Sequence, residues 1–144
     1  MKIDKNLHWF KLDNAAKIYP ASHSRNWSNL FRLSATLYED VDLRVLTEAI
    51  KNTVPRFPSI AARLSEGLFW YYLRPVSEPP AIMSEYSYPL AHMSKKELKT
   101  CAFRVIVYRK RIAVEIFHSL TDGNGGLIFF KSLIAEYLEL KHKI

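Results

Sequence analysis

Residues 111–126 read "RIAVEIFHSLTDGNGG". In the first part of this stretch apolar side chains alternate, so Ile112, Val114, Ile116 and His118 share one face of a strand by its period of two. From about Asn124 to Lys141 the spacing changes. Leu127, Phe130, Ile134, Tyr137 and Leu138 recur at helical intervals, while Lys131, Ser132, Glu136 and Glu139 are polar. The stretch is therefore a strand, a sharp turn and a helix. The turn holds a histidine, an aspartate four residues on and three glycines just after it. Packing alone rarely needs that set.

A histidine at a strand exit is partly buried yet reachable. Partial desolvation favours a neutral imidazole, the state that a general base requires. Asp122 opens the helix, where it either caps it or pairs with an arginine; both would hold the turn. Gly123, Gly125 and Gly126 are expected to keep side chains away from an approaching substrate arm and to permit positive φ. Plainer readings compete, since a histidine there also serves as an ordinary structural residue and Asp-Gly is a common turn. His118 and Asp122 have the spacing of a ligand pair, but no second pair accompanies them, so no metal site is expected.

Working outward, "AFRVIVY" (102–108) and "RIAVEIF" (111–117) are β-rich runs joined by about two residues. They read as a hairpin whose turn type is open, because it lacks Asn-Gly or Asp-Gly. "LFRLSATLY" (30–38) is a strand with Phe31, Leu33, Ala35 and Leu37 on one face and Arg32, Ser34 and Thr36 on the other. A helix follows, with Asp42 as N-cap, a stripe of Leu46, Ala49, Ile50 and Thr53 or Val54, and Pro55 and Pro58 to end it. "SIAARL" (59–64) is a short strand. Gly67 turns the chain into "LFWYYLRP" (68–75), another strand.

Four prolines make residues 75–92 an irregular crossing. "SKKELKT" (94–100) is one helical turn with Ser94 and Glu97 as a capping box. Residues 1–28 are irregular. Trp27, Trp70 and Tyr71 are expected in the core rather than around a pocket. The whole is a single domain over 1–144 of the α/β (α+β) class, a two-layer mixed sheet with packed helices.

Composition excludes several functions. The 144 residues are 49% apolar and 24% charged, ordinary for a globular domain with a real core. The net charge of +7 is spread along the chain, and its densest cluster, "YRKRI" (108–112), falls in a hairpin turn. Nucleic acid is not an expected partner; a mild attraction for an anionic small molecule such as a nucleotide phosphate is. No apolar run suffices for a membrane span, and the charged amino terminus lacks a signal-peptide core. The single Cys101 fits a reducing cytoplasm, the expected location.

"HSLTDG" resembles the His-x-x-x-Asp-Gly motif of the chloramphenicol acetyltransferase-like superfamily, which includes plant acyltransferases, peptide-synthetase condensation domains and microbial alcohol acetyltransferases. "LDNAAKIYPA", "SRNWSNLFRLSATL", "VPRFPSIAARL", "GLFWYYL" and "RIAVEIFHSLTDGNGG" extend the likeness. From about Lys11 to Leu140 the chain resembles the amino-terminal half of bacterial alcohol-acetyltransferase-like proteins.

The resemblance implies that His118 is the general base, taking a proton from an acceptor hydroxyl or amine that attacks a thioester. Asp122, with Gly123, would hold the motif by pairing with Arg56 or Arg63. It implies no permanently bound cofactor. Acyl-CoA, or a carrier-bound acyl thioester, would be the cosubstrate, with a small-molecule acceptor. Residues that bind it are not named by the motif.

Proteins of this superfamily have two such domains, with the tunnel between them, and this chain ends after the motif helix. It is expected to be an inactive half by itself, whether cut at the domain boundary, a split gene product or a remnant. Its open face is expected to meet a carboxy-terminal half domain or a second copy. The other reading is a non-catalytic binding or assembly module that uses that face.

Overall fold

The computed structural model describes residues 10–12, 16, 20, 29–76, 78–85 and 88–143. Trp27 and most of the amino-terminal segment lie outside them. The strands are β1 (Phe10–Lys11), β2 (Leu30–Thr36), β3 (Ala62–Glu66), β4 (Tyr71–Pro75), β5 (Ile82–Ser84), β6 (Phe103–Tyr108) and β7 (Arg111–Phe117). The helices are α1 (Leu43–Thr53), α2 (Lys95–Thr100) and α3 (Gly123–His142), with a 3-10 turn at Val54–Arg56.

Instead of the single sheet expected, the strands form two. One is three-stranded, in the order β1-β4-β3; the other is four-stranded, in the order β2-β7-β6-β5. The larger is mixed, because β5 runs parallel to β6 whereas the other pairings are antiparallel. β5 lies inside the stretch read as irregular, where three residues between proline-rich segments are too few for a periodic signal. The sheets meet at Ala102. Its N–H donates to the Ala62 carbonyl and its own carbonyl receives Phe117 N–H, both at 2.9 Å.

β7 is central and buried on both faces. The register aligns Phe31, Leu33 and Ala35 with Ile116, Val114 and Ile112, and these with Phe103, Val105 and Val107. This apolar grid is the face that carries the helices. Phe129 of α3 meets the edges of Phe57 and Phe103 at ring separations of 5.3 and 5.6 Å. The Tyr137 hydroxyl accepts the Asp42 N–H, which ties α3 to the start of α1.

The caps form as read. Asp42 accepts from Arg44 and Val45, and Ser94 and Glu97 complete a capping box. The β6–β7 turn is two residues, Arg109 and Lys110, with Arg109 left-handed at φ 52°.

The opposite face is charged. In one cross-strand row Arg32, Glu115 and Arg104 lie side by side. Arg32 donates to Glu115 at 2.9 Å, and Arg104 donates to its other oxygen at 2.6 Å. Glu115 is 1% exposed and also accepts Leu90 N–H. Glu85, just past β5, holds Arg32 and Arg111. The segment after β5 is thus fastened over the sheet by charge, around a cleft of about 260 Å³.

Trp70 and Leu127, both expected in the core, are exposed instead. Leu68, Phe69 and Trp70 form the β3–β4 turn, so β4 starts at Tyr71 rather than 68. On α3, Leu127 is exposed while Gly126, Phe129, Phe130, Leu133 and Tyr137 are buried; Ile134 and Leu138 are half-buried. The stripe read from sequence was rotated because four consecutive apolar residues, 127–130, do not mark a face.

Candidate active site

β7 ends at Phe117, and His118 begins the turn that leads to α3. Two contacts set its position. Its N–H donates to the Asn29 carbonyl at 2.9 Å, and its ring lies 5.1 Å from that of Phe31 at 60°. Phe31 enters β2 opposite Ile116, so β2 supplies the aromatic wall and the residue just before it the backbone contact for the motif histidine. Asn29 has φ 49°, the left-handed region that asparagine tolerates better than most residues. His118 is half-buried at the end of a strand whose residues from Ile112 to Phe117 are buried.

Ser119 is buried, and its hydroxyl donates to the Ala16 carbonyl at 2.8 Å, which fastens Ala16 to the motif turn. Leu120 N–H closes the turn onto the Phe117 carbonyl. Asp122 then caps α3, accepting Gly125 N–H at 2.7 Å, while its own carbonyl receives Gly126 N–H. Such a cap stabilises a helix by about 0.5–2 kcal/mol.

Neither arginine is brought to Asp122. Arg56 sits exposed in the 3-10 turn, and the Arg63 guanidinium reaches the Lys99 carbonyl at 3.5 Å.

The glycines differ from expectation, because none of them uses positive φ. A Cβ on Gly125 would lie 2.1 Å from the Thr121 hydroxyl; one on Gly126 would lie 2.6 Å from the Phe31 ring. Those two make room for the cap and for Phe31. A Cβ on Gly123 meets nothing within 4 Å. Asn29, Phe31 and Ser119 were missed as members of the site; only the tolerance of asparagine for left-handed backbone was a readable signal.

Cys101 is buried, and desolvation pushes its thiol up to about 11, slightly opposed by the Phe103 backbone. It stays a thiol and is no nucleophile at neutral pH. Among the described residues no group of three or more His, Cys, Asp or Glu is placed to hold a metal ion. Nor is any described helix long and apolar enough to cross a membrane.

No protein-family model and no curated protein matches the sequence. Solved structures do. The starter condensation domain of rhizomide synthetase RzmA superimposes with a TM-score of 0.74 at 10% identity, over 94% of this chain and 39% of that one. The fold is the condensation-domain fold. It is chloramphenicol acetyltransferase-like, with this chain matching one part of it. The epimerization domain of the third module of tyrocidine synthetase B gives 0.74 at 11% identity, over 94% and 35%. Polyketide synthase associated protein 5 from Mycobacterium tuberculosis gives 0.66 at 12%, over 96% and 34%. The chain thus spans little more than a third of the length of these solved chains, and at such identities the condensation-domain likeness is one of fold.

Proposed function

We propose that this chain is the histidine-bearing, amino-terminal part of an acyl-CoA-dependent O- or N-acyltransferase of the alcohol acetyltransferase-like kind. The observation that carries the reading is the half-buried imidazole of His118, held by Asn29 and Phe31 at the exit of a sealed strand and beside a capped helix. The condensation-domain fold supports it, and a mutant of the RzmA starter domain has been solved in complex with C8-CoA.

In this reading the imidazole takes the proton of an acceptor hydroxyl or amine as that atom bonds to the thioester carbonyl carbon. The carbon–sulfur bond then breaks, and the thiolate leaves with the proton returned by the imidazolium. Asp122 keeps the turn in place and does not touch the reacting atoms. The test is thiol release by the complete protein, with acetyl-CoA and a panel of alcohols and amines. His118→Ala is expected to lower kcat by about 10²–10⁴-fold with an unchanged circular dichroism spectrum. A variant that keeps most of the rate removes His118 from the base role.

Leu127 and Ile128, exposed side by side near the start of α3, favour the assembly module as a second reading. Light scattering on the full protein separates the two: a stable complex without turnover supports assembly.

A further inference from the structure

We propose that the tip of the β3–β4 hairpin is a wedge for an anionic lipid surface, with Leu68, Phe69 and Trp70 entering the headgroup region. These three consecutive residues are 93%, 85% and 57% exposed. Beside Gly67, where hairpin tips ordinarily continue with small or polar turn residues, this one carries a leucine and two aromatic rings whose centres lie 6.3 Å apart. The tip is also well braced. Gly67 N–H donates to the Trp70 carbonyl at 2.7 Å, and the paired strands run directly from it. A side chain on Gly67 would press on that carbonyl at 3.1 Å.

The base of the wedge is cationic. Glu66, next to the turn, lies 3.0 Å from Lys99 and 4.0 Å from Lys95 of α2, and the Arg63 guanidinium rests on the Lys99 carbonyl. Two lysines thus face one carboxylate, with Arg63 beside Lys99, and the chain as a whole carries +7. Apolar residues at the tip with lysine and arginine behind them match the layering of a bilayer whose headgroups are negative. Tryptophan suits the boundary between the two layers.

Size argues against a protein on the same spot. Three side chains present on the order of 500 Å², less than the roughly 800 Å² that each partner of a stable complex buries. A bilayer closes around a wedge of that size from every side. The wedge is separate from the histidine turn. β3 begins at Ala62, which reaches the end of β7 only through Ala102, and carries the tip roughly 13 Å further along the strand.

The full chain is tested by co-sedimentation with phosphatidylcholine vesicles and with vesicles of equal parts phosphatidylcholine and phosphatidylglycerol. Binding to the anionic vesicles only, weakened by salt, is the expected result. The double variant Leu68→Ser/Phe69→Ser is expected to lower the partition coefficient by at least about tenfold with an unchanged circular dichroism spectrum. Quenching of tryptophan emission by bromolipid is a second readout, expected to fall in Trp70→Phe. No sedimentation with either vesicle overturns the proposal, as does equal partition of the double variant or absence of quenching. A tip variant that loses self-association on size exclusion, without vesicle binding in the wild type, shows a protein contact and also overturns it.

Discussion

His118 depends on Phe31, and Phe31 depends on Gly126. An added methyl at Gly126 would overlap the Phe31 ring and also lie 3.3 Å from Ile116, whereas one at Gly123 enters open space. Alanine gains about 1 kcal/mol over glycine within a helix, so the signs differ. Gly123→Ala is expected to be neutral or stabilising. At Gly126 an overpacking cost of about 1–3 kcal/mol exceeds the helical gain, so Gly126→Ala is expected to lower the urea midpoint. Its ring displacement should also shift the His118 imidazole resonances, which Gly123→Ala leaves alone. Equal spectra for the two variants would break the link from Gly126 to the histidine. Little of this was legible beforehand. "DGNGG" announces a turn and a helix start, but the neighbour that forbids a side chain at Gly126 comes from β2, far away in sequence.

At the scale of elements, the Arg32–Glu115–Arg104 row joins β2, β7 and β6 across the face away from the helices. Glu115 spends both oxygens on guanidiniums and one also on Leu90, so its charge is fully matched. Glu115→Gln removes the counter-ion that the two desolvated guanidiniums share, leaving Arg32 on Glu85 alone and Arg104 on Glu97 at 3.9 Å. Removal of one partner from such a buried group costs about 3–5 kcal/mol, to be read from urea unfolding. The triple replacement Arg32→Met/Glu115→Leu/Arg104→Met is expected to recover most of that loss, since apolar packing avoids the desolvation cost. A loss below about 1 kcal/mol in Glu115→Gln, the level of a surface pair, would show that the row is not structural. Alternation in "LFRLSATLY" placed Arg32 away from the apolar face. That its charge meets Glu115 follows from strand order, which periodicity does not encode.

On the scale of the whole molecule, three carboxyls among the described residues have a lowered pKa in the fold. Asp42 is lowered by the Val45 and Arg44 N–H groups and Glu66 by Lys99. Burial pushes Glu85 up, but its hydrogen bonds from Arg111 and Arg32 outweigh this and bring it below the usual range. Groups lowered in the folded state bind more protons when unfolded. Their contribution is present above the unfolded carboxylate range, about pH 4, and is lost as pH falls through the folded values. The urea midpoint is therefore expected to hold from neutrality to about pH 5 and to fall below about pH 4. Glu85→Gln should start lower and fall less steeply. A midpoint that rises on acidification would contradict this.

Local elements follow from the order of residues alone: the Asp42 and Ser94 caps, the β6–β7 hairpin, the alternating faces of β2, and the strand–turn–helix around His118. These depend on neighbours within a few residues, whose spacing the chain displays directly. Long-range packing settles that the strands divide into two sheets, that β5 joins β6 in parallel, and that Asp122 caps its helix instead of meeting Arg56 or Arg63. It also turned the apolar run 68–70 outward and made the middle of the sheet's second face ionic. Each of those depends on which distant segments lie side by side, and burial, charge matching and steric clearance act only once they do.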